Sequence, residues 1–299
     1  MRAWTSARFT IPLPEGHRFP AGKYPRIRDG ILARGLIAPA DLLEPPAAAA
    51  DDLRLVHTDA YIGDMFGGTL PAAAQRRLGF PWSPELLERS RRTAQGTVEA
   101  ARDALATGAG INLAGGTHHA FADRGEGFCC FNDVALAVRV LRREGRLGRV
   151  AVVDLDVHQG NGTARLFADD ADTFTFSMHG AGNYPFVRER SDLDVELPDG
   201  TGDAAYLAAL DRHLDAVLDR AAPALVFFLA GADPYVDDRL GRLALSQAGL
   251  RARDRAVFAA CRRRGLPVVL TLAGGYARDL DDVVAIHAAS VEELRRSHG

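Results

Sequence analysis

Two separated segments carry carboxylates and a histidine of the types that bind metal ions. Asp154, Asp156 and His158 alternate, so in an extended chain their side chains start on one face. Asp233 ends a strongly apolar run that begins at Leu225. A carboxylate in that position is costly to leave unpaired. The alternating segment could instead be a hydrogen-bonded Asp/His pair that closes a strand. Because catalytic zinc takes three such ligands and keeps one position open, we interpret the two segments together as a metal site.

A tandem histidine pair and a tyrosine supply groups for proton transfer and charge stabilisation. His118 and His119 follow two glycines, and histidine titrates near neutrality, so the pair could move protons to and from a reacting water and a leaving amine. A lone buried histidine is more often structural, but a pair at a strand end favours function. Tyr276 also follows two glycines. Alone it would indicate a glycine turn, but beside the other clusters its hydroxyl could stabilise an oxyanion.

The elements that must position these groups form an alternating pattern. Short runs, apolar on both parities, predict strands buried on both faces, and helical spacing between them predicts a parallel sheet with helices on both faces. The predicted strands are 111–114, 150–155, 173–178, 224–230 and 267–273, and the clearest helices are 133–143, 204–220 and 246–264. Each strand ends in a polar or glycine cluster. Because the carboxyl ends of parallel strands share one edge, the clusters predict a single site there.

Net charge, hydrophobic content and cysteine pattern exclude several classes of function. The 299 residues carry a formal charge of −3, with 47% hydrophobic and 25% charged residues, so no basic field for nucleic acid is expected. The short basic run 89–92 is interpreted as a solvated helix face. We expect one domain over residues 1–299, with no signal peptide or membrane span. The cysteines Cys129, Cys130 and Cys261 form no Cys-x-x-Cys pair, which favours a reducing, cytoplasmic setting.

In this order, the motifs resemble those of the zinc-dependent histone deacetylases, whose fold is arginase-like. The matching segments are Gly115-Gly-Thr-His-His-Ala120, Gly127-Phe-Cys-Cys-Phe-Asn-Asp133, Asp154-Leu-Asp-Val-His-Gln-Gly-Asn-Gly162, Ala230-Gly-Ala-Asp233 and Gly274-Gly-Tyr276. The resemblance extends from about Pro14 to Ala289. Within the family the sequence is most similar to class IV and its bacterial relatives, as the segment Phe19-Pro-Ala-Gly-Lys-Tyr24 indicates.

The resemblance implies a role for each matching residue. It assigns zinc to Asp156, His158 and Asp233, with iron(II) as an alternative ion. It makes His119 the general base and acid, His118 mainly electrostatic, and Tyr276 the group that polarises the acyl carbonyl. The remaining implied roles are orientation of the histidines by Asp154 and Asn161, a lysine channel formed by Gly127, Phe128, Tyr184 and Leu240, and a structural K⁺ site at Asp154 and Ser177.

The implied activity is removal of acetyl or longer acyl groups from lysine in proteins or peptides. Three alternatives stay open: a deacetylase of acetylpolyamines or other small amides, an arginase-like enzyme with paired manganese ions, and a non-catalytic binding module. Asn161 stands where some members have aspartate, which leaves His119 with a neutral partner. Tyr184 replaces a phenylalanine found in many members and adds a polar tip to the channel. No counterpart of the rim aspartate that grips the substrate backbone is identified.

Overall fold

One parallel sheet organises the chain in the computed structural model, which describes residues 1–298. Within these residues the sheet has eight strands in the order β2-β1-β3-β8-β7-β4-β5-β6, and every neighbouring pair is parallel. The strands are β1 (Ala3–Trp4), β2 (Leu42–Leu43), β3 (Ala109–Asn112), β4 (Val150–Asp154), β5 (Thr173–Gly180), β6 (Leu193–Leu197), β7 (Leu225–Leu229) and β8 (Val268–Thr271). The predicted α/β class with a mostly parallel sheet is confirmed.

Helices cover both faces of the sheet. They are α1 (Lys23–Ala33), α2 (Ala50–Leu53), α3 (Asp59–Gly67), α4 (Ala72–Leu78), α5 (Pro84–Thr107), α6 (Asp133–Arg143), α7 (Asn161–Leu166), α8 (Asp203–Ala221), α9 (Gln247–Arg263) and α10 (Leu280–His298). No helix in this part of the chain combines the length and apolarity that crossing a membrane requires.

Two hydrophobic cores lie on opposite sides of the sheet because successive strand residues point to opposite faces. In β4, Ala151 and Val153 join the core formed with α1, α8, α9 and α10. Val150 and Val152 join the core formed with α3, α5 and α6. This two-sided burial explains why the strand sequences are apolar at both parities.

Local capping sets the bounds of the helices that carry the cores. The Ser83 side chain accepts a hydrogen bond from the backbone N–H of Leu86 at the start of α5, and Asn132 accepts one from Ala135 at the start of α6. Helix α5 ends at Thr107 and is capped by Gly108, whose φ of +92° is the left-handed conformation that glycine adopts without a Cβ penalty. These signals are local, which is why the predicted bounds of α6 match the observed ones.

Some elements differ from the sequence-based prediction. The two-residue strands β1 and β2 and the partly exposed β6 were not predicted, because they lack a long apolar run. The interpretation of residues 89–92 as a solvated face is wrong for Arg89. Its side chain is buried, donates to the carbonyls of Ser6 and Phe9, and lies over the Tyr24 ring. Backbone carbonyls from the N-terminal segment, which the helix pattern does not reveal, solvate this buried charge.

Candidate active site

The three candidate metal ligands come together at the carboxyl ends of adjacent strands. Asp156 and His158 follow β4, and Asp233 follows β7, which pairs with β4 in the sheet. One ligand atom from each residue lies within 4.8 Å of the others, and all three residues are buried. His158 Nδ1 is 2.9 Å from an Asp156 oxygen and 3.4 Å from Asp233 Oδ2. The structure therefore brings together the residues that the resemblance assigned to the ion.

The hydrogen bonding of Asp233 fits a bound cation. Its Oδ1 accepts the backbone N–H of Val157 at 2.9 Å, whereas its buried Oδ2 has no hydrogen-bond partner among residues 1–298. Burial, together with the charge of Asp156, raises the pKa of Asp233 to about 7. A buried acceptor without a donor is costly, and a cation would satisfy it. Two carboxylates and one imidazole form a donor set suited to zinc or another divalent transition metal.

Glycine makes this close approach of carboxylates possible. A Cβ at Gly274 would lie 1.8 Å from Asp233 Oδ2 and 2.6 Å from Asp156 Oδ2. The backbone N–H of Gly274 also donates to Asp156 Oδ2 at 2.8 Å, which fixes that carboxylate. The glycine thus closes the ligand cluster on the side of β8.

The two histidines stand side by side with different partners. His118 Nδ1 lies 2.6 Å from Asp154 Oδ2, and His119 Nδ1 lies 2.7 Å from the side-chain oxygen of Asn161. Both rings are buried, with their centres 4.2 Å apart. When each Nδ1–H donates to its partner, each ring is left with Nε2 as its free nitrogen. The carboxylate and the amide therefore orient the two imidazoles alike but give them different charge environments.

These environments separate the pKa values of the pair. Burial disfavours the charged form of His118, but the carboxylates of Asp154 and Asp156 outweigh it and raise the pKa to about 9. Burial and the neighbouring charges of His118 and His158 lower the pKa of His119 well below its ordinary value. In this state His118 carries the proton and His119 is the neutral base. Because Asp156 is also a candidate metal ligand, a bound cation would weaken its pull on His118.

A carboxylate that the sequence analysis missed lies behind this pair. Glu126 accepts a short hydrogen bond from the Tyr184 hydroxyl and one from Asn161 Nδ2 at 3.5 Å. By holding the amide nitrogen, it turns the amide oxygen of Asn161 towards His119. Glu126 directly precedes the matching motif that begins at Gly127, but an acidic residue before a glycine carries no signal of its own.

Tyr276 is positioned by its backbone and by a buried lysine. Its N–H donates to Asp238 at 2.6 Å, and burial raises the pKa of its hydroxyl, which therefore stays a protonated donor. Lys23 lies over the tyrosine ring and donates to the carbonyls of Ala273 and Gly275 at 3.4 and 3.3 Å. Lys23 is the only lysine of the sequence and was not predicted as a site residue. Its sole signal was its place in the segment 19–24.

All four residues predicted to form the channel line one cavity of about 870 Å³ together with the candidate metal ligands. Phe128 and Tyr184 supply aromatic walls, and the Leu240 carbonyl accepts a hydrogen bond from the Asn183 side chain, which also lines the cavity. A Cβ at Gly127, whose φ is +54°, would lie 2.6 Å from the His119 ring. Exposed residues such as Phe186 line the same cavity as the buried histidines and carboxylates, so the site is open to solvent.

The two residues of the implied K⁺ site lie on neighbouring strands. Asp154 and Ser177, the implied K⁺ site, lie opposite each other in the register of β4 and β5. Asp154 also accepts from the N–H of Asp156 and contacts His118, so it belongs to the active-site network regardless of a second ion.

The sequence and the fold are both similar to those of known proteins. A model of the histone deacetylase domain matches residues 17–292. An uncharacterized protein of Picosynechococcus sp. is 44% identical over 94% of this chain and 93% of its own length. Histone deacetylase 2 of Arabidopsis thaliana is 32% identical over 94% and 74%, and the histone deacetylase-like amidohydrolase of Pseudomonas aeruginosa is 31% identical over 89% and 74%.

Solved structures give the same result for the fold. An HDAC homologue crystallised with SAHA superposes with a TM-score of 0.82 and 25% identity, covering 99% of this chain and 83% of that one. An HDAC homologue from Aquifex aeolicus superposes with a TM-score of 0.83 at 24% identity and the same coverage.

Proposed function

We propose, from the premise that the chain belongs to the histone deacetylase family, that it removes acyl groups from the ε-amine of lysine in proteins or peptides. Its reaction class is that of the family, a deacetylase-type amidohydrolase. The observation that supports this best is the convergence of Asp156, His158 and Asp233 with His119 and Tyr276 on one cavity. A non-catalytic binding module has no use for this set of residues.

The ion we propose is zinc, with iron(II) as the alternative. Asp156, His158 and Asp233 would hold it, and when bound it would polarise the acyl carbonyl and acidify a water molecule. The paired manganese ions of an arginase are disfavoured, since the metal-type cluster found among the described residues contains three ligands. We also propose a cytoplasmic location, supported by the three free, buried cysteines.

The chain's own residues provide the proton transfers. Neutral His119 takes a proton from the attacking water at its Nε2, because its Nδ1–H is committed to Asn161. Tyr276 donates its hydroxyl hydrogen to the oxygen that becomes negative as the carbonyl is attacked. Protonated His119 then returns the proton to the leaving amine, and His118, held by Asp154, stabilises the negative charge nearby. The aromatic walls at Phe128 and Tyr184 exclude water from the lysine methylenes.

The direct test is a panel of lysine peptides carrying acetyl through myristoyl groups, assayed beside acetylpolyamines with zinc-loaded or iron(II)-loaded protein. We expect turnover of acyl-lysine that a chelator abolishes and the metal restores. Tyr276→Phe should remain folded and keep its metal but lose on the order of 10²–10³ in kcat. Asp233→Ala should lose metal, while Asp237→Asn, a nearby surface change, should not. Hydrolysis of acetylpolyamines without hydrolysis of any lysine peptide would contradict the substrate proposal.

A further inference from the structure

Five exposed arginines line the cavity that holds the candidate site, and the solvent-exposed part of the lining to which they belong is called the entrance here. Arg18 comes from the N-terminal segment, Arg76 and Arg77 from the last turn of α4, and Arg239 and Arg242 from the segment after β7. All five are exposed. Among the described residues that line the cavity, the carboxylates are Asp156 and Asp233, which lie buried as candidate ligands. The entrance is therefore locally basic on a chain whose formal charge is −3.

Carboxylates of the protein itself do not neutralise most of the positive charge of these arginines. Within residues 1–298, Arg18, Arg76 and Arg77 have no carboxylate within 4.0 Å, since none of them forms an ion pair. Arg239 donates to the backbone carbonyl of Tyr276, which is a neutral partner. Only Arg242 pairs with an acid, Asp199, at 3.3 Å.

Two carboxylates beside residues of the cavity wall already have partners within the protein. Glu126 accepts from the Tyr184 hydroxyl and pairs with Arg124. Asp238 accepts from the backbone N–H groups of Leu240, Gly241 and Tyr276. Four guanidinium groups at the entrance thus remain available to a molecule that enters.

We propose that this entrance selects substrates that carry an anionic group, a carboxylate or a phosphate, close to the acylated amine. The inference rests on the proposed function, because it places the acyl-amine in this cavity. Guanidinium groups pair well with planar anions, and a cluster of like charges raises the local concentration of opposite charge. The same charge repels acetylpolyamines, whose free amines are protonated, and lysine peptides with basic neighbours.

The anion could be supplied by acidic residues that flank the lysine in a peptide or by a carboxylate on a small amide. Nucleic acid fits less well, because the arginines converge on one opening and the chain as a whole is acidic.

Binding and turnover are measured separately, so that the inference and the proposed function can fail independently. Binding of labelled acetyl-lysine peptides with Glu, Gln or Arg on both sides is measured by fluorescence anisotropy with metal-loaded Tyr276→Phe, and kcat/KM of the same peptides with the unmodified protein.

We expect the acidic peptide to bind about five- to tenfold more tightly than the neutral one, and the basic peptide to bind more weakly, as a few exposed ion pairs allow. The preference should fall below about twofold in roughly 0.5 M NaCl. The double variant R76A/R77A should lose most of it. The charge-matched control R262A/R263A, which changes a separate groove on α9, should keep it.

Two further arms identify the source of the anion. Nα,Nε-diacetyl-lysine with a free carboxylate should compete better than its carboxamide if a small amide suffices, and equal competition by the two would assign the anion to a longer acidic peptide.

Equal binding of acidic, neutral and basic peptides would overturn the inference even if all are hydrolysed. An acidic preference without turnover of any peptide would support it while refuting the proposed function. Tighter binding of a single-stranded oligonucleotide than of the acidic peptide, lost in R76A/R77A, would also overturn it.

Discussion

The ammonium group of Lys23 lies 5.2 Å from the centre of the Tyr276 ring, in buried space behind the loop that carries the tyrosine. It donates to the carbonyls of Ala273 and Gly275 and faces a second ring, that of Tyr24. Among the described residues no carboxylate forms an ion pair with it. An ammonium buried without a counterion is costly. In the folded protein these carbonyls and aromatic faces are the groups that stabilise it.

We expect Lys23→Met to lower kcat about tenfold with little change in KM, which corresponds to about 1.4 kcal/mol in the barrier. Methionine fills a similar space but leaves the two loop carbonyls without a donor, so Tyr276 is held less firmly. Metal content should stay unchanged. The control is Arg89→Met, which also removes a buried cation over Tyr24 but one that donates to Ser6 and Phe9. A folded Lys23→Met protein with unchanged kcat would contradict this role.

Gly274→Ala should abolish stoichiometric metal binding. The added Cβ would lie 1.8 Å from Asp233 Oδ2, a distance that requires the carboxylate or the loop to move. Gly148→Ala is the control, because a Cβ there meets nothing within 4 Å. Metal analysis of the two purified variants, with circular dichroism as a check of folding, measures the effect. Full metal content in Gly274→Ala would show that the ligand cluster tolerates the displacement.

Much of this arrangement could be predicted from sequence, because strand ends are easy to recognise. The apolar run of β7 stops at Leu229, so the position of Asp233 beyond the sheet edge follows from the chain itself. The proximity of Asp156 to Asp233 also depends on the pairing of β4 with β7, which the sequence pattern does not predict. The clusters predicted the site, and strand order set its geometry.

Contacts between distant loops could not be predicted in this way. Lys23 and Tyr276 are separated by most of the sequence, and no periodicity links a residue at the start of α1 to a loop after β8. Glu126 lies in an irregular segment, where spacing does not indicate which way a side chain points. The arginines of the entrance come from three separate segments and resemble ordinary surface charge until the fold brings them together.

Asn161→Asp should shift the acidic limb of the kcat/KM profile to higher pH by about one unit or more. A carboxylate 2.7 Å from His119 Nδ1 favours the imidazolium and raises the pKa of that histidine. The reaction needs neutral His119, which then forms only at higher pH, so activity at low pH falls. The new carboxylate would also face Glu126, so the change is repeated with Glu126→Gln. An unchanged profile in both backgrounds, with normal metal content, would count against His119 as the base.

His57 makes stability depend on pH away from the candidate metal site. Its Nδ1–H donates to the Phe121 carbonyl at 2.9 Å, and its Nε2 accepts the backbone N–H of Asn132 at 3.2 Å. The neutral ring therefore satisfies both partners. Protonation would turn Nε2 into a donor that faces another donor. Burial lowers the pKa of His57 from 6.5 to about 4.

The unfolded chain thus binds a proton near pH 6.5 that the folded protein does not accept until about pH 4. The contribution of His57 to stability is fully present above pH 6.5, falls as the pH decreases towards 4, and is constant below that. The free energy of unfolding changes by about 3 kcal/mol in total over this range. Urea unfolding of metal-free protein across this range should show a shallower pH dependence in His57→Gln, which keeps a donor and an acceptor but does not titrate. His213→Gln on α8 is the control and should follow the unmodified protein. Equal pH slopes for His57→Gln and the unmodified protein would mean that His57 is not the group that resists protonation.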